Sequence, residues 1–246
     1  MKVVITGAAH GLGRALTEAV IARGDDVIAV DHDDQALGQI NGAISLALDL
    51  TGAHSADAIA AHGPIDLIIH CAGISGTGPF EQIPTDRHRA IIALNFEAPV
   101  QITCALLAQG ALSATSTHAF VGSLSTYTGY PGAVSYAASK DGLASFARSL
   151  NAALPKGQRA ACIFPGPMAT DHAARYAPEN SAKTVAARQS PADAATLILA
   201  ALDAGKTTIV PGAKARALAL AGRLAPTLMA RALKKGIYDK LSDPKL

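Results

Sequence analysis

Charge is scarce in this chain. Only 16% of the 246 residues are Asp, Glu, Lys or Arg, whereas 50% are hydrophobic, so the sequence has ample apolar surface for a core and an intrinsically disordered chain is excluded. The net charge of +2 gives no reason to expect a nucleic-acid partner. No internal repeat and no low-complexity linker divides the sequence, and we therefore expect one domain.

Cysteine and long apolar runs are scarce as well. The three cysteines, Cys71, Cys104 and Cys162, are far apart and odd in number, which argues against a disulfide framework and favours buried thiols. We also expect no bound metal ion. No uninterrupted run of about 18 apolar residues predicts a membrane-spanning helix, and Met1 leads into Val-Val-Ile-Thr-Gly without signal-peptide features. We expect a cytoplasmic protein.

Glycine, by contrast, is concentrated near residue 10. Residues 2–6 are a short β-branched run that predicts a strand, Gly7, Gly11 and Gly13 follow it, and residues 14–22 carry apolar side chains at helical spacing. Such a loop lets backbone N–H groups approach a pyrophosphate, which then lies at the positive end of the helix. Tight turns use glycine too, but the flanking strand and helix favour a dinucleotide-binding loop.

The second predicted strand, residues 26–30, ends at Asp31. A carboxylate at this position can accept both hydroxyls of an adenosine ribose and would repel the 2′-phosphate of NADP. Asp33 and Asp34 add negative charge, whereas His10 is a basic hint in the opposite direction. The alternative is that Asp31 caps the next helix. We predict NAD rather than NADP as the cofactor.

Strand and helix patterns alternate along the rest of the chain. Further strands are predicted at residues 43–48, 65–71, 118–122, 159–164 and 207–210, and helices at residues 33–41, 51–62, 85–109, 134–154 and from 191 onward. This alternation predicts an α/β fold of the Rossmann type, in which helices flank a doubly wound parallel β-sheet. Ligands bind such sheets at the C-terminal strand ends, where Gly7, Asp31, Asp49, Gly73 and Ser123 fall. Asp49 could face the adenine or cap a helix.

Three residues predict the chemistry. Tyr136 and Lys140 are four residues apart in a predicted helix and project from one face, and Ser123 ends the preceding strand. A neighbouring ammonium and a cationic nicotinamide would lower the pKa of the phenol, so that Tyr136 could exchange a proton with a carbinol oxygen. Ser123 would hydrogen-bond that oxygen, and Lys140 would also hold the cofactor ribose. Tyr-x-x-x-Lys is common on helices, so this prediction depends on the cofactor loop.

Together these residues resemble the single-domain branch of the short-chain dehydrogenase/reductase family, over residues 1–212. The matching motifs are Thr6-Gly7-x-x-x-Gly11-x-Gly13, Asp31, Asp49, Ala72-Gly73, Asn95, Ser123, Tyr136-x-x-x-Lys140 and Pro165-Gly166 with Thr170. The resemblance implies an NAD(P)-dependent oxidoreductase that transfers a hydride between the nicotinamide and a secondary alcohol or ketone. One departure is Cys71, where the family often has asparagine, because a thiol removes a possible hydrogen bond between strands.

The resemblance also implies roles for single residues. Asn95 would join Ser123, Tyr136 and Lys140 as a fourth catalytic residue and hold a water on the proton path to Lys140; a satisfied core asparagine is the alternative. Thr170 would contact the nicotinamide carboxamide. The residues expected to hold the cofactor are Gly7, His10, Gly11, Leu12, Gly13, Asp31, Asp49, Leu50, Cys71, Ala72, Gly73, Tyr136, Lys140, Pro165, Gly166, Met168 and Thr170.

The substrate is expected to meet Ser123, Leu124, Tyr130 and Tyr136, beneath a flap at about 167–190. The apolar walls favour a hydrophobic or modestly polar secondary alcohol or ketone over a polyanion. One alternative is an NADP-dependent 3-oxoacyl reductase, against which Asp31 argues. Another is a dinucleotide-binding sensor or scaffold without turnover. Relatives in the family are commonly dimers or tetramers, and we expect a homo-oligomer.

A second departure lies in residues 211–246, which hold eight Lys or Arg and two Asp, a net charge of +6. Residues 1–210 hold thirteen basic and seventeen acidic residues, a net charge of −4. Residues 214–235 predict an amphipathic basic helix interrupted by Pro226. We take residues 1–212 as the catalytic domain and residues 213–246 as its basic helical extension. The extension packs on its own or a neighbouring subunit, or contacts a membrane surface or an acidic partner.

Overall fold

A computed structural model describes residues 1–170, 188–236, 238–241 and 244–246. Within these residues, seven parallel strands form one sheet in the order β3-β2-β1-β4-β5-β6-β7. The strands are β1 (Lys2–Thr6), β2 (Asp26–Asp31), β3 (Ala43–Ala47), β4 (Ile65–His70), β5 (Leu112–Val121), β6 (Arg159–Ile163) and β7 (Thr208–Ile209). The order reverses between β1 and β4, so the predicted doubly wound Rossmann-type fold is confirmed.

Helices cover both faces of the sheet. They are α1 (Gly11–Ala22), α2 (Asp34–Leu37), α3 (Ser55–Ala60), α4 (Thr85–Ile92), α5 (Ala98–Ala108), α6 (Ser125–Thr128), α7 (Val134–Ala153), α8 (Pro191–Asp203), α9 (Ala213–Leu224) and α10 (Pro226–Gly236). One face packs mainly on α1 and α8, and the other on α3, α5 and α7. Because both faces are covered, the strands are apolar on both sides: Val3 and Ile5 enter one core, and Val4 enters the other.

Two early helices are shorter than the sequence predicted. The prediction for residues 33–41 reduces to α2, because the Asp33 carboxylate accepts the Ala36 N–H at 3.0 Å and the helix ends before Gly38. The prediction for residues 51–62 likewise reduces to α3. Strand β5, by contrast, begins at Leu112, six residues before the predicted start at residue 118. The short helix α6 was not predicted.

The helix predicted at residues 85–109 is three segments, because a π-turn, Ala93–Glu97, separates α4 from α5. Pro99 explains the interruption. In an α-helix its N–H would bond to the carbonyl of Asn95, four residues earlier, and proline has no N–H. The π-turn therefore accommodates the missing bond and sets the direction of the Asn95 side chain.

The span Thr85–Ala108 is also long and apolar enough to cross a membrane by length and composition alone. Core helices of globular domains pass the same test. Here Ile91, Ile102 and Leu106 are fully buried, with Ile102 and Leu106 in the core beneath the sheet. We therefore describe it as a core helix.

The basic extension forms the two helices α9 and α10, which meet at Ala225 and Pro226 as the sequence predicted. Ala215 and Ala219 on α9 lie in the same buried cluster as Phe120 of β5. The chain then returns to the sheet edge, where Thr77 and Lys245 form an antiparallel bridge with N–H···O distances of 3.0 and 2.7 Å. The domain boundary at residue 212 remains a prediction.

Candidate active site

The glycine loop between β1 and α1 is packed too closely for side chains. A Cβ on Gly7 would lie 2.8 Å from Ala72 Cα, and a Cβ on Gly13 would lie 1.9 Å from the Gly7 carbonyl oxygen. Helix α1 begins at Gly11, and its N-cap residue His10 gives no side-chain hydrogen bond to the helix. The N–H groups of the first turn are therefore uncapped by side chains and point to the place where an anion would bind.

The ends of β1 and β4 are tied together beside this loop. The Thr6 hydroxyl oxygen accepts the N–H groups of Cys71 at 3.1 Å and Ala72 at 3.2 Å. These bonds connect the strands where the sequence departs from the family at Cys71. Burial raises the pKa of the Cys71 thiol to about 12, so the thiol stays neutral. The sequence analysis did not assign Thr6 to the site, although it ends the strand before the loop.

Asp31 lies at the end of β2, next to the same loop, and is only 7% exposed. One carboxylate oxygen, Oδ2, accepts the Ala9 N–H at 3.0 Å. The other, Oδ1, accepts the N–H groups of His32 and Asp33 at 2.8 and 3.2 Å. These bonds fix a negative charge at the loop. They serve the loop and the following turn, whereas Asp33 caps α2, so the capping alternative for Asp31 is wrong.

Two histidines and Asp49 complete this side of the site. His10 Nε2 lies 2.9 Å from Asp33 Oδ2, and His32 Nδ1 lies 3.0 Å from Asp31 Oδ1. The Asp49 carboxylate accepts the N–H and hydroxyl of Thr51 at 2.9 and 2.7 Å, and these bonds lower the pKa of Asp49. Asp49 therefore holds the turn at Thr51, whereas the N-cap of α3 is His54, so the capping alternative is wrong and a place for Asp49 at the adenine stays a prediction.

Ser123, Tyr136 and Lys140 lie together, just after the end of β5 and in the first two turns of α7. The Ser123 oxygen accepts the Ser125 N–H at 3.1 Å, and the Ser123 hydroxyl lies beside the Tyr136 phenol, where it acts to lower the pKa of that phenol. Lys140 is 3% exposed, with Nζ 5.9 Å from the Tyr136 ring centroid. Its ammonium donates to the Val121 carbonyl at 2.8 Å. Strand end and helix face thus place a hydroxyl, a phenol and an ammonium together.

The pKa values of this group differ from the expectation. Burial raises the pKa of Tyr136 to about 12, although the Ser123 hydrogen bond acts in the opposite direction. Burial also lowers the pKa of Lys140 to about 8. We expected the ammonium to lower the pKa of Tyr136. Among the protein's own groups the net effect is a rise, because desolvation of the phenolate is the larger effect. The phenol is protonated at neutral pH.

Asn95 connects three parts of the site. Its Oδ1 accepts the Ile74 N–H at 2.9 Å, and its Nδ2 donates to the Ile74 carbonyl at 2.9 Å and to the Ser139 hydroxyl at 3.0 Å. Ser139 in turn donates to the Tyr136 carbonyl at 2.7 Å. The side-chain amide is therefore engaged with protein groups, as a satisfied core asparagine is. Ile74 and Ser139 were missed because neither belongs to a motif.

The stretch after β6 lies across the glycine loop. Thr170 Cγ2 lies 3.3 Å from the position of a Cβ on Gly11, and Gly166 packs on Leu124 and Ala215. Met168 pairs with Gln189 in a parallel bridge. Pro165 accepts the Leu124 N–H at 3.4 Å. Most of the predicted flap, residues 171–187, lies outside the described residues.

The substrate side is walled by aromatic rings and the end of the chain. The Tyr130 and Tyr136 rings meet edge to face, with centroids 6.5 Å apart. The charge of Arg188 opposes the rise that burial causes in the Tyr130 pKa. Leu241 is held against the loop before α7, where a Cβ on Gly132 would lie 2.6 Å from Leu241 Cδ1. The sequence analysis did not place Leu241 here.

The sequence is similar to that of a known protein family and to several of its members. The sequence pattern of the family described as short chain dehydrogenase matches residues 1–181. An uncharacterized short-chain type dehydrogenase/reductase of Sinorhizobium fredii is 33% identical over 68% of this chain, but the alignment spans only 32% of that protein. A 2-dehydro-3-deoxy-L-rhamnonate dehydrogenase (NAD(+)) of Sphingomonas is 30% identical over 66% of this chain and 70% of its own length. The 3-oxoacyl-[acyl-carrier-protein] reductase FabG of Salmonella typhimurium is 26% identical over 68% and 73%.

Solved structures agree over nearly the whole chain. A short-chain dehydrogenase of Streptomyces avermitilis has a TM-score of 0.78 at 26% identity and covers 96% of this chain and 95% of its own. A short-chain dehydrogenase of Burkholderia cenocepacia in complex with NADP has a TM-score of 0.81 at 23% identity, covering 94% and 96%. One of Burkholderia phymatum in complex with NAD has a TM-score of 0.77 at 20% identity, covering 89% and 91%. With its matching sequence pattern, glycine loop and parallel sheet, this chain belongs to the short-chain dehydrogenase/reductase family and is an NAD(P)-dependent oxidoreductase.

Proposed function

We propose that the protein is an NAD-dependent enzyme that interconverts a secondary alcohol and a ketone, with Tyr136 as the acid and base. One observation carries this proposal. The Ser123 hydroxyl acts to lower the pKa of the neighbouring Tyr136 phenol, and the buried Lys140 ammonium lies 5.9 Å from the centroid of the same ring, at the sheet edge that holds the glycine loop. A hydroxyl, a phenol and an ammonium so arranged can orient a carbonyl oxygen and exchange a proton with it.

The residues present fit a dinucleotide. The uncapped first turn of α1 and the glycine loop, in which Gly7 and Gly13 leave no room for a Cβ, suit a pyrophosphate, and the fixed charge of Asp31 suits ribose hydroxyls. When bound, NAD supplies the hydride acceptor. We propose that the residues that hold it are Gly7, His10, Gly11, Leu12, Gly13, Asp31, Leu50, Cys71, Ala72, Gly73, Tyr136, Lys140, Pro165, Gly166, Met168 and Thr170. Asp49 supports the turn that carries Leu50.

The protein residues perform the proton chemistry. Ser123 donates a hydrogen bond to the substrate oxygen, and Tyr136 transfers the proton to or from that oxygen. A protonated phenol with a pKa of about 12 suits the acid role that ketone reduction requires. The Lys140 ammonium, which is fixed by the Val121 carbonyl, stabilises the negative charge that develops on the phenol oxygen as the proton leaves. Asn95 holds Ile74 and Ser139 and so positions the backbone of Tyr136 and the loop beside Lys140.

The choice of NAD rests on Asp31. Its charge is fixed by three backbone N–H groups at the edge of the glycine loop, and a 2′-phosphate beside it would be repelled. A second candidate, an NADP-dependent 3-oxoacyl reductase, is favoured by the likeness to the Salmonella reductase. The aromatic substrate wall, where the charge of Arg188 acts on the pKa of Tyr130, is compatible with both.

Helices α5 and α7 also support a homo-oligomer. Cys104 and Leu107 on α5 and Val134 at the start of α7 are exposed apolar side chains. We propose that a second copy of the chain covers these side chains. Sedimentation velocity at several concentrations measures the assembly directly, and a monomer at every concentration would contradict the proposal.

The experiment that tests the function has two stages. Purified protein is titrated with NADH and with NADPH by fluorescence, and then assayed with a panel of secondary alcohols and ketones at the NADH absorbance band. We expect tighter binding of NADH and turnover of at least one apolar pair. No binding of either dinucleotide would overturn the proposal. A preference for NADPH together with turnover of a 3-oxoacyl thioester would establish the second candidate.

The assignment of Tyr136 is tested with the substrate found. Tyr136→Phe removes the phenol oxygen and keeps the ring, so turnover should fall by roughly 10²–10⁴-fold while the Kd for NADH changes little. Tyr130→Phe is the matched control, since it removes the phenol of the neighbouring ring. Turnover at the wild-type rate in Tyr136→Phe would show that another group transfers the proton.

A further inference from the structure

The outer face of the basic extension carries leucines in solvent. Leu220 and Leu224 on α9 and Leu228 at the start of α10 are 58%, 77% and 66% exposed, and successive leucines are four residues apart. We call these three residues the leucine face. Spacing of four places Leu220 and Leu224 on one side of α9, and Leu228 is exposed just beyond the break at Pro226. Three large apolar side chains of the extension are therefore exposed to solvent.

The inner face of α9 shows that this exposure is fixed by packing. Ala215, Ala219 and Gly222 are buried on the side opposite the leucines. Gly222 approaches Tyr127 so closely that a Cβ would lie 2.3 Å from the Tyr127 carbonyl oxygen. Helix α9 cannot rotate its leucines inward without moving this contact, so Leu220 and Leu224 stay directed away from the domain.

Cations surround the leucine face. Arg216 and Arg223 are exposed on α9, and Arg231, Lys234 and Lys235 are exposed on α10. Neither helix has an acidic residue in its first turn. In the part of the chain that the structure describes, only Lys234 of these five meets a carboxylate, Asp239, at 4.0 Å. The whole of residues 211–246 carries +6 against −4 for the rest of the chain.

We propose that α9 and α10 bind the surface of an anionic lipid bilayer, with the leucine face inserted among the acyl chains and the five cations at the headgroups. Helices that lie in a membrane interface combine these two features, an apolar face and a basic margin. A symmetric contact with a second copy would bring two such basic surfaces together and is opposed by their charge. An acidic protein would satisfy the cations but would not by itself account for three exposed leucines.

The test is co-sedimentation of the full chain with vesicles. We expect binding to vesicles of phosphatidylcholine mixed with phosphatidylglycerol, a partition coefficient at least about tenfold lower for phosphatidylcholine alone, and release at high salt. Turnover is not measured, so this result is independent of the proposed reaction. No binding to the anionic vesicles at low salt would overturn the proposal, as would equal binding to both compositions.

Paired variants separate the two contributions. Leu224→Gln with Leu228→Gln removes apolar contact, and Arg231→Gln with Lys235→Gln removes charge; each pair should lower the partition coefficient by about tenfold or more. Leu197→Gln, at a leucine of α8 that is 45% exposed, is the matched control and should change it less than twofold. Wild-type vesicle binding by the leucine pair would overturn the proposal. If the wild-type protein bound no vesicles and the leucine pair formed a smaller assembly in sedimentation velocity, the leucine face would be a contact between subunits and the proposal would also be overturned.

Discussion

The two sides of the active-site edge are built from different parts of the chain. On the cofactor side, close approaches join the loops that follow the neighbouring strands β1 and β4, such as Gly7 against Ala72. On the substrate side, they join residues far apart in sequence, such as Gly222 against Tyr127 and Gly132 against Leu241. Both sides need glycine for the same steric reason, but only the first places it in a recognisable local motif. Cofactor binding can therefore be predicted from sequence spacing, and substrate choice cannot.

The sharpest way to break the cofactor side is at Gly73. A Cβ there would lie 3.0 Å from Asn95 Oδ1 and 3.2 Å from Lys140 Nζ, and both groups are already held by other bonds. We expect Gly73→Ala to displace the ammonium, to cost about 1–3 kcal/mol of unfolding free energy and to lower turnover by about tenfold to a hundredfold. Steady-state kinetics and urea unfolding measure the two effects.

The control for this variant is Gly236→Ala. A Cβ on Gly236 meets nothing within 4 Å, and the residue lies in α10, away from the cofactor loop. Its turnover should match wild type. Wild-type turnover in Gly73→Ala would mean that the site tolerates the added methyl group and that turnover does not depend on the close packing around Lys140.

The second prediction concerns cofactor selectivity. Asp31→Asn keeps the shape of the side chain and removes its charge, so the repulsion of a 2′-phosphate is lost and the bonds to ribose hydroxyls weaken. The ratio of Kd for NADPH to Kd for NADH should fall by about tenfold or more, since hydrogen bonds to charged groups contribute about 1.5–3 kcal/mol. Asp26→Asn, at the other end of β2, should leave the ratio unchanged. An unchanged ratio in Asp31→Asn would remove this residue from the ribose site.

The third prediction concerns the pH dependence of stability, which arises from a buried histidine in the sheet beneath both sides. Both ring nitrogens of His118 on β5 are buried without a hydrogen-bond partner among the described residues, and burial lowers the pKa of His118 to about 4. The unfolded chain binds a proton below about pH 6.5 and the folded chain only near pH 4, so the free energy of unfolding falls as the pH drops between these values. The loss at pH 5 is about 2 kcal/mol.

His118→Phe should remove this part of the acid sensitivity, and urea unfolding at pH 7 and pH 5 measures it. His70, whose pKa burial lowers to about 3, remains and contributes a similar fall. His54→Phe, at an exposed position before α3, is the control and should keep the full wild-type difference. If His118→Phe lost as much stability as wild type between the two pH values, His118 would not be the group that titrates.

The smallest effect is expected at Leu241 on the substrate side. Leu241→Ala shortens the side chain that packs on Gly132, next to the turn that leads to Tyr136. We expect KM for the alcohol to rise a few-fold, roughly the effect of about 1 kcal/mol of lost contact, with Kd for NADH unchanged. A change in the Kd for NADH would contradict the division of the site into two sides.

Particular residues show where sequence reasoning succeeded. Ser123, Tyr136 and Lys140 meet as the spacing predicted, because a strand end and one helical turn leave little geometric freedom. Asn95 was named, but its π-turn was not, although Pro99 four residues later was the available signal. The direction of the Tyr136 pKa was wrong, because desolvation depends on burial that only the folded chain defines.

The bridge between Thr77 and Lys245 has a further consequence, which concerns time. Residue 77 is synthesised long before residue 245, and a domain generally folds as a unit. The bridge is a contact of very large sequence separation, so it forms only after the chain between its two partners has been made. The loop after β4 therefore stays without this partner until residue 245 leaves the ribosome.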